Sequence, residues 1–194
     1  MLPEWFEQLG LMAWPLTVCS VLTLTICLER LVFHIKAILT HAGTYKKLAD
    51  YLTEHRSLPK ATRDEMSSVL LMELRASYFS GTGLLRIIGT ISPILGLLGT
   101  ILGIISAFKV IAAQTGPVAP SMIADGLWEA MLTTAAGLMI ALPALLMSYL
   151  FYYLAERQLD QFCLELNKLS VSFEMQTETD TPEFITNNIK RLSA

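Results

Sequence analysis

Apolar stretches alternate with polar segments along this chain, and three of the stretches are long enough to cross a membrane. The clean part of the first, Met12 to Leu28, has 17 residues, near the lower limit for a hydrocarbon core of about 30 Å. The second runs from Leu84 to Ala113. The third runs from Ser121 to Ala155, and apolar residues then continue at three- and four-residue spacing to Phe173. This pattern predicts an all-α membrane protein whose third helix extends beyond the membrane.

The polar segment between the first and second stretches also has helical periodicity. Tyr45, Leu48 and Leu52 share one helical face, and the pattern breaks at Ser57 to Pro59. Thr62 to Glu65 then has the form of a capping box, which marks the start of a helix. The segment is therefore predicted to contain two antiparallel helices.

These patterns divide the chain into seven segments. In order, they are an amphipathic N-terminal segment over 1–10, a first membrane helix over 11–35, a polar helical segment over 36–83, a second membrane helix over 84–113, a loop over 114–120, a third membrane helix over 121–155, and a C-terminal helix and tail over 156–194. Charged residues make up 16% of the chain, well below the roughly 25% of a soluble domain, which favours membrane residence.

The positive charges predict the orientation of the helices. Of the 14 Lys and Arg, nine lie between Arg30 and Arg86 and four lie from Arg157 onwards. The remaining one, Lys109, precedes a loop over 114–120 that contains none. Because loops rich in Lys and Arg stay in the cytoplasm, both long polar segments are predicted to be cytoplasmic. The N-terminus and the loop are then on the opposite side.

Polar side chains within the second and third helices are the candidate chemistry. Thr100 lies 13 residues before the end of the second helix, and Thr134 lies 13 residues after the start of the third. At about 1.5 Å per residue, both hydroxyls are roughly 20 Å below the outer ends. Glu129 is about 12 Å below the same ends, and Thr133 lies one turn further along its face. These side chains suit a path for a small cation such as H⁺.

Structural roles are the alternative for the same residues. A threonine in a membrane helix often donates its hydroxyl to its own i−4 carbonyl and carries no ion. The carboxylate of Glu129 can pair with Lys109 or with a cation on a partner chain. Asp125 can serve as a negative charge at the N-terminus of the third helix, where the helix dipole favours it.

Small residues in the second helix predict close helix packing. Gly96, Gly99 and Gly103 recur at three- and four-residue spacing, which lets helix backbones approach closely in lipid. Pro93 removes one backbone hydrogen bond and is expected to bend the helix. The sequence contains no catalytic triad, nucleotide-binding loop or metal-ligand spacing, and no basic stripe for nucleic acid. It therefore predicts neither an enzyme nor a cofactor.

Two motifs carry a resemblance to a known family. Ser92 to Gly103 and Ile123 to Leu138 resemble the corresponding motifs of the MotA/TolQ/ExbB proton-channel family in spacing and order. The resemblance implies a bacterial inner-membrane protein that forms a pentameric bundle around a central pore built by the second and third helices. It also implies a single-span partner of the ExbD or TolR type inside the pore and a TonB-like protein that transmits motion to outer-membrane receptors.

The resemblance also assigns roles to residues. Thr100 and Thr134 match the family's pore threonines and Glu129 its acidic position, while Thr133 beside Thr134 leaves Na⁺ coupling open. The short N-terminus and compact cytoplasmic segment are unlike the flagellar stator branch. An ExbB-type role, in which proton flow drives outer-membrane uptake of siderophore-iron or cobalamin, is favoured over a TolQ-type role in envelope maintenance. A non-conducting membrane scaffold is the hypothesis of a different class.

Overall fold

The computed structural model describes residues 10–114, 116–117 and 119–179, except for the side chains of Leu11, Met122, Asp125 and 177–179. All regular structure in these ranges is helical. A short 3-10 turn, Gly10–Met12, precedes five α-helices: α1 Ala13–Leu39, α2 His41–Glu54, α3 Lys60–Phe79, α4 Thr82–Ala112 and α5 Pro120–Thr179. Most of the predicted segment 1–10 and the tail from 180 lie outside the described residues.

Three helical stretches are long and apolar enough to cross a membrane. They lie in Ala13–Leu39, in Lys60–Ala112, which joins α3 and α4, and in Gly126–Gln176 of α5. The predicted continuation of the third helix is present, since α5 is one unbroken helix of 60 residues. Helix α4 also continues without interruption through Pro93. The described chain is therefore an all-helical membrane protein with three apolar helices.

Helix boundaries differ from the sequence-based expectations in two places. Helix α1 ends at Leu39, and the Thr40 N–H donates to the Lys36 carbonyl at 2.9 Å, so helical bonding passes almost directly into α2. The predicted capping box at Thr62 is wrong. Helix α3 begins at Lys60, and the Thr62 N–H donates to the Pro59 carbonyl at 3.0 Å. The fixed φ of Pro59 starts this helix before a side-chain cap is needed.

The chain divides into two compact units, of which the first comprises residues up to His34 and residues 79–153. Its core begins with Met12 of the 3-10 turn and with Ala13 and Leu16 of α1. These side chains pack against residues of α4 and α5, namely Leu95, Leu132, Ala136 and Ile140. Large apolar side chains, including Leu24, Leu97 and Met139, remain exposed on its outside. Such a surface is expected where lipid or further protein covers the helices.

The second unit comprises residues 35–78 and 154 onwards, and it contains α2, nearly all of α3 and the C-terminal part of α5. Its buried apolar side chains are those of Leu48, Leu52, Leu159, Phe162 and Leu166. The His41 ring stacks on Phe162 with centroids 4.4 Å apart. This unit therefore has an ordinary apolar core between amphipathic helices.

Arg63 links three segments of the second unit. The residue is 3% exposed, and its side chain donates to the carbonyls of Arg56 and Leu58 at 2.9 and 2.7 Å. It also donates to the Ser170 carbonyl at 3.2 Å and to Glu174 Oε1 at 2.6 Å. The guanidinium thereby joins the turn between α2 and α3 to α5.

Candidate functional site

The hydroxyl of Thr134 joins α5 to α4. Its Oγ1 donates to the backbone carbonyl of Gly96 at 3.1 Å. The approach is possible because position 96 has no side chain: a Cβ there would lie 3.0 Å from Thr134 Cα and 3.1 Å from the Thr133 carbonyl oxygen. Glycine thus allows a side chain of one helix to reach the backbone of its antiparallel neighbour.

Thr100 lies one turn from Gly96 on α4, but its hydroxyl donates within its own helix. The acceptor is the Leu97 carbonyl at 2.6 Å. Both Thr100 and Thr134 are half-buried, and each uses its single proton on a backbone carbonyl. A hydroxyl that donates in this way keeps oxygen lone pairs that can accept a hydrogen bond. Both threonines can therefore accept from water or a hydrated cation without losing their own bonds.

Thr133 has a packing position. The residue is 3% exposed, and its Oγ1 donates to the Ala130 carbonyl at 2.7 Å. A Cβ on Gly99 would lie 2.5 Å from that oxygen and 2.7 Å from Thr133 Cβ. The structure therefore brings Thr133 directly against the glycine, whereas the sequence grouped it with the pathway residues.

The three glycines that the sequence singled out on α4, Gly96, Gly99 and Gly103, all face α5 of the same chain. Gly96 and Gly99 meet Thr134 and Thr133, and a Cβ on Gly103 would lie 2.9 Å from Ala130 Cβ. Small residues of α5 also lie at this contact. Gly137 packs on Ser92 and Gly96, and Gly126 packs on Ala107. Gly126, Ala130, Thr133 and Gly137 have helical spacing in the sequence, so this half of the contact was open to prediction and was missed.

Glu129 lies where three helical segments meet. Its half-buried carboxyl approaches the 3-10 turn, since a Cβ on Gly10 would lie only 2.7 Å from Glu129 Oε1. It shares a cavity of about 270 Å³ with Gly10, Met12, Ser106 and Thr133. Sequence reasoning missed Gly10 and Ser106, because their nearness to Glu129 depends on how separate helices align.

Two expectations about the acidic residues have different outcomes. Within one copy, the described residues contain no ion pair between Glu129 and Lys109. The side chain of Asp125 lies outside what the structure describes. Glu129 lies about 13 Å along α5 from its start, close to the sequence-based value. Its carboxyl lies beside Gly10, just before α1 begins.

The apolar helices contact one another through glycines, and hydroxyls and a carboxylate lie between them. These features define a polytopic membrane protein. Residues 36–163 match the model of the MotA/TolQ/ExbB proton channel family. This match covers more than half of the chain, so the chain belongs to the MotA/TolQ/ExbB family.

Individual relatives point to one branch of the family. The chain is similar to biopolymer transport protein exbB1 of Vibrio cholerae, with 40% identity over 88% of each chain. It is 45% identical to ExbB of Salmonella typhimurium over 37% of this chain and 29% of that protein. It is 36% identical to the putative ExbB-like protein 1 of Synechocystis over 48% of this chain and 37% of that protein. The chain thus spans most of the Vibrio protein and well under half of the other two.

Proposed function

We propose that this chain is the proton-channel subunit of an ExbB–ExbD–TonB type complex in the bacterial inner membrane. The complex converts proton motive force into mechanical work for TonB-dependent outer-membrane uptake of siderophore-iron or cobalamin. Family membership and the extent of the likeness to exbB1 support this proposal. The observation that carries it is Glu129, a carboxylate that shares a cavity with hydroxyls among apolar helices. A carboxylate in such surroundings is costly and needs a functional reason.

The contact between α4 and α5 argues for an assembly of several copies. The two helices touch backbone to side chain at Gly96 and Gly99, so no ion passes between them at this level within one copy. A pathway lined by these helices must therefore lie between copies. A pentamer around a central pore, with a single-span ExbD-like helix inside it and cytoplasmic helical extensions, satisfies this requirement. The exposed apolar surface of the first unit is available for lipid and for the neighbouring copies.

In the proposed orientation, the N-terminus and the loop over 114–120 are periplasmic, and 36–83 and 156–194 are cytoplasmic. The distribution of Lys and Arg supports it.

The exposed thiol of Cys163 is a native reporter for the cytoplasmic side. A membrane-impermeant thiol reagent added to spheroplasts is expected to label a cysteine introduced at Gly116 and to spare Cys163. Labelling of Cys163 together with protection of position 116 would show that the orientation is the opposite one.

In the proposed mechanism, the threonines provide oxygen acceptors along the pathway. Thr100 and Thr134 spend their protons on backbone carbonyls, which leaves their lone pairs for a hydronium ion or for an ordered water. Glu129 accepts a proton from water and releases it toward the partner. These groups replace part of the hydration that an ion loses in a hydrocarbon layer.

Valine substitutions test the threonines, because Thr→Val conserves shape and removes the hydroxyl. We expect Thr100→Val with Thr134→Val to assemble and yet to lose gradient-dependent siderophore uptake and proton flux into vesicles. Thr134→Ser keeps the hydroxyl and should retain most activity. Thr25→Val is the matched control, since the Thr25 hydroxyl donates at 2.8 Å to its own i−4 carbonyl on the exposed side of α1. Glu129→Ala is expected to lose uptake as well.

The outcomes separate the remaining hypotheses. Normal uptake and flux in the double valine variant would make the hydroxyls structural and would favour a membrane scaffold. Proton flux that supports envelope integrity and not siderophore uptake would indicate a TolQ-type role. Uptake that follows a sodium gradient in place of a proton gradient would indicate that the coupling ion is Na⁺, with the same residues along the pathway.

A further inference from the structure

The cavity beside Glu129 has walls from three separate parts of the chain. Its volume of about 270 Å³ is bounded by Gly10 and Met12 before α1, by Leu102 and Ser106 of α4, and by Glu129 and Thr133 of α5. One water occupies about 30 Å³ in the liquid, so several waters fit this volume. Two hydroxyls and a carboxylate supply the polar partners that such water needs.

Gly10 is suited to this position for two independent reasons. Its φ of +54° lies in the left-handed region, where a residue with a Cβ is disfavoured. A Cβ at position 10 would also lie 2.7 Å from Glu129 Oε1. The turn itself is anchored, because its last residue, Met12, and the first residue of α1, Ala13, are buried in the core of the first unit. The carboxyl of Glu129 therefore rests against a fixed piece of backbone.

We infer that the turn Gly10–Met12 closes a hydrated chamber over Glu129 and that Gly10 is a positioning residue for its carboxylate. The start of the first helix is then part of the ion pathway, although the pathway threonines lie only on α4 and α5. Water in the chamber relays protons to and from Glu129. This inference rests on the proposed function, because it takes Glu129 to be a member of the pathway.

The positioning role is tested by a double-mutant cycle on proton flux in vesicles that contain the full complex. Gly10→Ala adds a methyl group against Oε1 and is expected to lower the flux about tenfold. Glu129→Asp shortens the side chain by one methylene and withdraws the carboxylate from position 10. Gly10→Ala should therefore lower the flux much less in the Glu129→Asp background. Gly83→Ala is the matched control, since a Cβ there meets nothing within 4 Å.

A second arm tests the chamber and does not depend on the folding or activity of these variants. Ser106→Cys, in a chain whose three native cysteines are replaced by alanine, is treated with 2-aminoethyl methanethiosulfonate. A water-filled chamber predicts rapid labelling that blocks the flux. Leu97→Cys, on an exposed apolar face of the same helix, is expected to remain unlabelled. An unreactive cysteine at position 106 would overturn the inference.

The results distinguish this inference from the proposed function. If Glu129→Gln leaves proton flux unchanged, the proposed pathway fails and the inference fails with it. If Glu129→Gln lowers the flux while Gly10→Ala acts equally in the Glu and Asp backgrounds, only the positioning role is overturned. Where a variant in the cycle fails to assemble or to conduct, labelling at Ser106→Cys decides.

Discussion

Each of the two compact units of this chain is stabilised internally by a different kind of contact. In the first unit, α4 and α5 meet through glycines, alanines and threonines, and Thr134 reaches the backbone at Gly96. In the second unit, larger apolar side chains form the core, and the buried guanidinium of Arg63 ties separate segments together.

This difference follows from what surrounds each type of helix. Between apolar helices in lipid, burial of more apolar surface gains little, so close packing and hydrogen bonds hold the contact. The amphipathic helices of the second unit gain from apolar burial in the usual way, and the cation of Arg63 can be buried because backbone carbonyls and Glu174 accept from its two Nη groups. The contrast predicts that steric changes damage the first unit most and that loss of donors damages the second.

The largest effect is expected at Gly137 in the first unit. A Cβ there would lie 2.6 Å from the Ser92 carbonyl oxygen and 3.2 Å from Gly96 Cα, and both are backbone atoms that cannot turn aside. Gly137→Leu should destabilise the protein by about 3 kcal/mol or more, measured by unfolding in detergent. Gly83→Leu provides the control, because position 83 is open. Equal stability of the two variants would mean that α4 and α5 do not touch here.

An intermediate effect is expected at Arg63 in the second unit. Arg63→Met fills a similar space but leaves the carbonyls of Arg56, Leu58 and Ser170 without their donor. Because Glu174 is half exposed, the ion pair adds little, and the loss is set mainly by the carbonyls at about 2–3 kcal/mol. Protease cleavage within the turn at 55–59 should accelerate. Arg56→Met, at an exposed side chain, should leave cleavage unchanged; an equal acceleration would argue against the network.

The smallest effect is expected at the ion pair between Arg75 and Glu156 in the second unit. The atoms are 2.7 Å apart, but the Arg75 side chain is 56% exposed. Arg75→Gln should therefore cost less than about 1 kcal/mol, and the loss should shrink as NaCl rises toward 1 M. A larger and salt-independent loss in chemical unfolding would show that surface charge matters as much here as the Arg63 network.

The parts of this architecture that depend on one helix at a time could be predicted from the sequence. Hydropathy alone indicates three apolar helices, and periodicity predicts that the third continues past Ala155. Counting residues back from the short loop places Thr100 and Thr134 at one level. In the structure, Thr134 meets Gly96, one turn from Thr100, so the count gives their relative level only to about one turn.

Features that depend on alignment between distant segments could not be predicted. The nearness of Gly10 to Glu129 depends on where α1 begins relative to α5. No local sequence pattern predicts the relative position of these two helices along their axes. Arg63 counted only as one of many cations in the sequence, because its acceptors are backbone carbonyls, which every residue has. The capping-box pattern at Thr62 was misleading because Pro59 had already started the helix.

The paired small residues of α4 and α5 also restrict how this protein can change in length over evolution. Residue numbers rise along α4 as they fall along α5, from Gly89 against Leu145 to Ala107 against Gly126. One inserted residue inside either stretch would turn every later position by about 100° and carry its glycines away from the partner helix. Insertions and deletions among homologues should therefore occur mainly in the loop between α4 and α5, while the paired stretches keep their length.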